Sequence, residues 1–193
     1  MSEVRRLLPV FLAAARVVLG DAPGARFIIP TLDHVEPLVR DIVRRAGEGV
    51  PVEVVTGEEA KYAAFRRARA ALAASGTVTL ELALAQVPMI AAYRVAGWEA
   101  AIARRLVRVP SVILPNIILD AKPVPEFLQD RASPEKLGPA LSALVTGEAA
   151  RQRQIRAFQQ LERVMRAKSE APSARAASLL LDVLAKARDT KAR

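Results

Sequence analysis

Cysteine is absent from the 193 residues and histidine occurs once. The first absence excludes disulfide frameworks, thiolate zinc sites and cysteine nucleophiles, and the single His34 leaves little for a histidine-based metal site. No metal and no cofactor are expected. Aromatic residues make up only 4%, so there is no stacking platform for single-stranded nucleic acid. The arginines are dispersed and follow no recognition motif, so nucleic acid is not an expected partner. Long apolar runs are also missing. Arg16, Glu81, Gln86 and Arg94 interrupt the best ones before the roughly 20 residues that a spanning helix needs. The start, Met1-Ser2-Glu3-Val4-Arg5-Arg6, leads into an amphipathic stretch without a small-residue cleavage site, which reads as a helix rather than a signal peptide. A cytoplasmic chain that touches a membrane without crossing it is the expectation. What the chain does have is 52% hydrophobic residues, enough for one buried core. It also carries a net charge of +9 and a pI near 10.7, which suit an anionic partner such as a phosphorylated ligand or an acidic membrane surface.

Helical and strand periodicities alternate along the chain. Leu7, Leu8, Phe11, Leu12, Ala15 and Val18 recur at helical spacing until Gly20 and Pro23-Gly24 end the run. Arg26–Pro30 reads as a buried strand. Asp33 is placed to cap a helix running to Gly47, and Val52–Val55 reads as a second strand. A helix Glu58–Arg67, a strand Ala70–Ala73, a turn Ser75-Gly76-Thr77, a helix to Ala85 and a strand Met89–Tyr93 follow. Next come a helix Gly97–Val107 and a strand Val112–Leu114 that stops at Pro115-Asn116. The alternation predicts an α/β fold, a Rossmann-like doubly wound parallel sheet with right-handed crossovers. The series opens with a helix where such a domain ordinarily opens with a strand, so a first strand is expected to be missing. Beyond Asn116 the pattern turns helical: Pro125–Asp130, a helix after Ser133-Pro134, Glu148–Lys168 and Ser173–Lys186. Two domains are expected, a sheet domain over 1–146 and C-terminal helices over 147–193 packed on that sheet or on a partner domain.

The segment Ala74-Ser75-Gly76-Thr77-Val78-Thr79-Leu80-Glu81 is a strand end, a tight turn and a helix start. Its backbone N–H groups and helix dipole suit a phosphate, and Glu81, one turn in, suits both hydroxyls of a ribose. Ordinary helix capping, with Glu81 on the surface, is the plainer reading of the same residues. Ser75 is not a hydrolase nucleophile, because it lacks an elbow's flanking glycines and no histidine follows it. Asp33-His34 reads as a cap beside a partly exposed histidine. Arg104, Arg105 and Arg108, and then Arg151, Arg153, Arg156, Arg163, Arg166 and Lys168, read either as solvated helix faces or as attraction to anionic headgroups.

Pro88-Met89, Tyr93-Arg94, Leu114-Pro115-Asn116 and Glu126-Phe127-Leu128-Gln129 follow at successive strand ends, on the carboxyl edge where open α/β sheets bind ligands. This ordered set, with ASGT and Leu80-Glu81 before it, resembles the lipid-A-disaccharide synthases, glycosyltransferases of the GT-B architecture. The likeness extends from Ser2 to about Leu184, to the C-terminal, nucleotide-sugar-binding half. That half of the family begins with a strand and a Leu-Pro-Gly-Ser-Arg loop before Glu-Val, and of this region only Ser2-Glu3-Val4 is present. The resemblance implies transfer of a 2,3-diacylglucosamine from UDP to 2,3-diacylglucosamine 1-phosphate in lipid A biosynthesis. It implies Ser75, Gly76 and Thr77 against the diphosphate and Glu81 on the ribose. Asn116, Glu126 and Gln129 would line the donor sugar, with Tyr93 and Arg94 beside them. The catalytic base is expected in the N-terminal acceptor domain, outside this sequence. An inner-membrane peripheral location and a homodimer formed through the last helices are further expectations. The competing one is an inactive UDP-binding fragment or partner subunit.

Overall fold

The computed structural model describes residues 1–94, 111–166 and 172–191. Two compact units divide the chain, Met1–Leu161 and Glu162–Arg193.

In the first unit, α1 (Ser2–Asp21) buries Leu7, Leu8, Leu12, Ala14, Ala15 and Val18 along one stripe, the face that the helical spacing predicts. It leads to β1 (Phe27–Thr31), α2 (Glu36–Ala46), β2 (Val52–Thr56) and α3 (Glu58–Arg67). Then come β3 (Ala71–Ala74), α4 (Thr77–Leu84) and β4 (Met89–Tyr93). The predicted helix Gly97–Val107, with Arg104, Arg105 and Arg108, lies outside the described residues. The chain resumes with α5 (Leu114–Leu119), β5 (Glu126–Leu128), a 3-10 turn (Gln129–Arg131), α6 (Pro134–Thr146) and α7 (Glu148–Arg166), which runs past the end of the first unit. In the second unit α8 (Pro172–Lys191) has exposed Leu179, Leu180, Leu181 and Val183.

Among the described residues all strand pairs are parallel, as the alternation predicts, but they form two sheets, β1-β2 and β3-β4-β5. The register sets Phe27 beside Val52, Ala71 beside Met89 and Ala92 beside Phe127. β4 is buried from Met89 to Ala92, and β3 and β4 are rich in alanine, which lets helices approach both faces closely. One face carries α1 and α6 over Ile90, Ala92 and Phe127. The other carries Phe65, Leu82, Ala83, Phe158 and Leu161 over Ala73, Met89 and Ala91.

Three local expectations are corrected. Val112–Leu114 is not a strand: residues 112 and 113 form a bend and α5 begins at Leu114, with Pro115 in its first turn, where a missing N–H costs no helical bond. Pro125–Asp130 is not one helix; only Gln129 and Asp130 turn helically, in the 3-10 turn. Glu126–Leu128 pairs with Ala91–Tyr93 instead, because β4's open edge offers hydrogen bonds that a short segment cannot make alone. Asp33 does not cap α2. It lies in an exposed turn, and Val35 is the N-cap residue without a side-chain bond.

Arg151 departs from both readings of the basic tail. It is buried, and its Nη1 donates to the carbonyls of Leu144 (2.9 Å) and Val145 (3.1 Å). It thereby satisfies the C-terminal carbonyls of α6 and its dipole. Arg153, Arg156, Arg163 and Arg166 are exposed, and Lys168 lies outside the described residues.

Candidate nucleotide-sugar site

Parallel pairing puts the carboxyl ends of β3, β4 and β5 on one edge, so Ser75, Tyr93-Arg94 and Gln129 emerge together. Ser75 is fixed twice: its N–H donates to the Ala92 carbonyl at 3.0 Å and its hydroxyl to the Val112 carbonyl at 2.8 Å. The hydroxyl proton is therefore used within the chain.

Gly76 follows with φ +155° and ψ −170°, a region that glycine alone occupies readily. It is the N-cap of α4, and no side chain caps that helix. The predicted Ser75 or Thr77 cap is not made. Thr77 is exposed as the first helical residue, and Thr79, fully buried, donates its hydroxyl back to the Gly76 carbonyl at 2.7 Å. The first-turn N–H groups of α4 and the positive end of its dipole thus face the carboxyl edge without a side-chain acceptor, an arrangement suited to an anion.

Glu81 stands one turn into α4, and Lys61 of α3 reaches it, with Nζ 2.7 Å from Oε2. The side chains are 27% and 31% exposed. The hydrogen bond to Glu81 raises the Lys61 pKa above its ordinary 10.5, so the ammonium persists at neutral pH and keeps a counter-charge beside the carboxylate.

The segment after β4 is organised by a buried network. Asn116, 2% exposed, donates from Nδ2 to the Val124 carbonyl (2.9 Å) and to Glu126 Oε1 (2.7 Å), and its Oδ1 accepts from the Val124 N–H (3.1 Å). Glu126 also accepts from the Ser111 hydroxyl (2.5 Å) and the Val112 N–H (2.9 Å). Such a satisfied network holds one arrangement of the loop. The structure therefore brings Asn116 and Glu126 together, with Asn116 inside the protein rather than on an open wall. Gln129 turns out of β5 through a left-handed φ of +51°, and its carbonyl accepts from Arg94 Nε at 3.2 Å. Tyr93 is half-buried at the end of β4.

Sequence reasoning missed Lys61, Ser111 and Val112. Lys61 carries no local signal, because only the packing of α3 on α4 makes it Glu81's neighbour. Val112 acts through its backbone, which no residue type betrays. His34 is exposed in the turn before α2. Among the described residues no group of three His, Asp or Glu side chains could hold a metal ion, and no helix is long and apolar enough to cross a membrane.

The family model for lipid-A-disaccharide synthetase matches residues 1–178. The chain is 46% identical over 187 residues to the lipid-A-disaccharide synthase of Bradyrhizobium diazoefficiens, covering 97% of this chain and 47% of that protein. It is 44% identical over 191 residues to that of Nitrobacter winogradskyi, covering 97% and 47%. Against that of Gluconobacter oxydans it is 35% identical over 183 residues, covering 95% and 44%. The chain spans about half the length of the curated relatives it matches. With nearly all of its residues matched at these identities, the chain belongs to the lipid-A-disaccharide synthase family.

Proposed function

We propose that this chain is the donor-binding half of a lipid-A-disaccharide synthase, a hexosyltransferase that moves 2,3-diacylglucosamine from UDP to 2,3-diacylglucosamine 1-phosphate and releases UDP. The observation that carries the reading is the α4 N-terminus without a side-chain cap, set at the carboxyl edge behind Ser75-Gly76-Thr77, in a chain of this family. The diphosphate sits against the N–H groups of Gly76 and Thr77, with the Thr77 hydroxyl as a further donor. Glu81 accepts from the ribose hydroxyls. Arg94 and Tyr93 flank the donor sugar with Gln129, while Asn116 acts by bracing Glu126.

In the reaction, the bond from the sugar's anomeric carbon to the UDP oxygen breaks, and an acceptor hydroxyl oxygen bonds to that carbon. Its proton passes to a base in the acceptor half. Negative charge growing on UDP is met by the α4 N-terminus and Arg94, preorganised donors that need no reorganisation during the step. On this reading residues 1–146 bind the donor. Residues 147–193 form a C-terminal helical part whose exposed leucines suit a homodimer. The exposed Arg153, Arg156 and Arg163 draw the enzyme to the anionic face of the inner membrane, at about 1 kcal/mol per basic residue near the surface.

Calorimetric titration with UDP, using UMP and ADP as controls, tests the donor site. Saturable UDP-selective binding is expected, and a cooperatively folded chain that binds no UDP would refute the assignment. Transferase activity on mixing with an acceptor half tests the reaction assignment.

A further inference from the structure

The two carboxylate oxygens of Glu81 have different surroundings. Oε2 is shut off from solvent, and among the described residues no group reaches it except the Lys61 ammonium, whose Nζ lies 2.7 Å away. Oε1 is not buried in this way and accepts no hydrogen bond from the described residues. One oxygen therefore faces the protein and its cation, and the other is left for a ligand.

The cation is itself held in place. Lys61 Nζ lies 4.5 Å from the centroid of the Tyr62 ring, a distance at which the ring face attracts an ammonium. Tyr62 in turn meets Phe65 edge-on, with centroids 5.8 Å apart and ring planes at 89°. Phe65 is buried in the core with Ala73 of β3 and Leu82 of α4. A line of contacts thus runs from the core through Phe65, Tyr62 and Lys61 to the Glu81 carboxylate. Fold stability gives little reason for such a line, because an ion pair this open to water gains little over its hydrated ions. Ligand binding gives a better one. A glutamate free on a helix surface loses side-chain freedom when it takes up a ligand, and a carboxylate already held in one orientation loses less.

We propose that Lys61, steadied by Tyr62, is a positioning residue for nucleotide binding which, resting on the assignment of Glu81 to the ribose, fixes Oε1 as the ligand-facing acceptor and so sets the preference for ribose over deoxyribose. Without the ammonium, Oε2 is a buried carboxylate oxygen with no counter-charge, so the side chain turns out towards water and no longer waits at the ribose. Neither Lys61 nor Tyr62 needs to touch the nucleotide.

The test titrates the full chain and its Lys61→Met, Lys61→Arg and Glu81→Ala variants with UDP, 2′-deoxy-UDP and 3′-deoxy-UDP by calorimetry at neutral pH, with thermal melts to verify folding. The original chain should bind UDP about tenfold or more tightly than at least one deoxy analogue, the effect of a hydrogen bond to a charged group. Lys61→Met should cut that ratio to about threefold or less while affinity for the deoxy analogue stays within about twofold, because the α4 N-terminus that meets the diphosphate is unaltered. Lys61→Arg, whose guanidinium can still lie on the Tyr62 ring and pair with the carboxylate, should keep most of the ratio. A folded Lys61→Met protein with the original ratio overturns the proposal and leaves the ribose assignment standing. An original chain that binds no UDP or does not distinguish it from either analogue, or a Glu81→Ala variant that discriminates as well as the original, removes the ribose assignment and the proposal with it. If Lys61→Met does not fold, Tyr62→Leu decides: it should lower the ratio by about twofold or more through loss of the ring beneath the ammonium, and an unchanged ratio overturns the proposal.

Discussion

Replacing Gly138 by alanine should destabilise the protein even though alanine is the better helix former. Gly138 is buried on α6 where that helix meets α1, and a Cβ built there lies 2.5 Å from the Val17 Cβ and 2.8 Å from both Val17 methyls. Carbon atoms rest about 3.5–4.0 Å apart, so the helices must separate by roughly 1 Å. The helix-propensity gain is about 1 kcal/mol, and overpacking costs about 1–3 kcal/mol. Separation would also loosen Leu7, Val18, Leu137 and Leu141, which share that core, and would stretch the hydrogen bond from the Ser142 hydroxyl to Asp21. The cost therefore sits at the upper end of its range, and the net loss is about 1–2 kcal/mol. For a chain of this size that lowers Tm by about 2–8 °C. Urea unfolding followed by circular dichroism measures it directly. Adding Val17→Ala should restore only part of the loss, because the 2.5 Å contact is to a Cβ that alanine keeps. A Gly138→Ala protein more stable than the original would refute the argument, since it would mean that the α1–α6 spacing is not set by this contact.

Gln154→Leu should cost about 2–4 kcal/mol in urea unfolding. Gln154 pairs with both the N–H and the C=O of Met89 (2.7 and 2.9 Å), and both would be left buried without partners; an unchanged midpoint would show that water replaces the side chain. Glu81→Ala should weaken UDP binding by about tenfold or more in calorimetry, the effect of losing hydrogen bonds to a charged group, while the chain still unfolds cooperatively. Unchanged affinity removes the ribose assignment. Because Lys61 is raised above 10.5 by Glu81, its contribution to stability is complete below that value and is lost as pH rises through the folded-state pKa. Thermal melts from pH 9 to 12 should fall more steeply for the original protein than for Lys61→Met, and identical slopes would count against the pairing. Glu148 is held below the usual carboxylate range, chiefly by the Gln152 amide and then by Arg151. Its contribution is therefore present at neutral pH and lost as pH falls through the lowered value, and Glu148→Gln should flatten the acid limb of the melting curve.

Most of the elements were legible in the sequence because their determinants are local. The apolar stripe of α1 needs only helical spacing, and Val52–Val55 and Met89–Tyr93 are β-branched or apolar runs bounded by glycine or proline. The turn at Gly76 was equally visible, because a small-residue turn between a strand and a helix advertises its backbone. Ser75 and Arg94 share a carboxyl edge because β3 and β4 are parallel neighbours, as the alternation predicts, whereas Gln129 joins them only through β5.

Tertiary structure decided everything that depends on a partner distant in the chain. Glu126–Leu128 is a strand only because β4 offers an edge, and Asn116 is a brace only because Val124 and Glu126 fold back onto it. Arg151 belongs to a basic run by sequence, yet it is buried because the α6 carbonyls need donors. Lys61 meets Glu81 across two helices. Local propensity acts over a few residues, whereas hydrogen-bond satisfaction and packing are settled only when remote groups meet. The sequence by itself therefore determined the alternation of helices and strands as far as β4, where the determinants are local, and the tertiary structure determined how the chain from Ser111 to Gln129 bends, pairs and is buried.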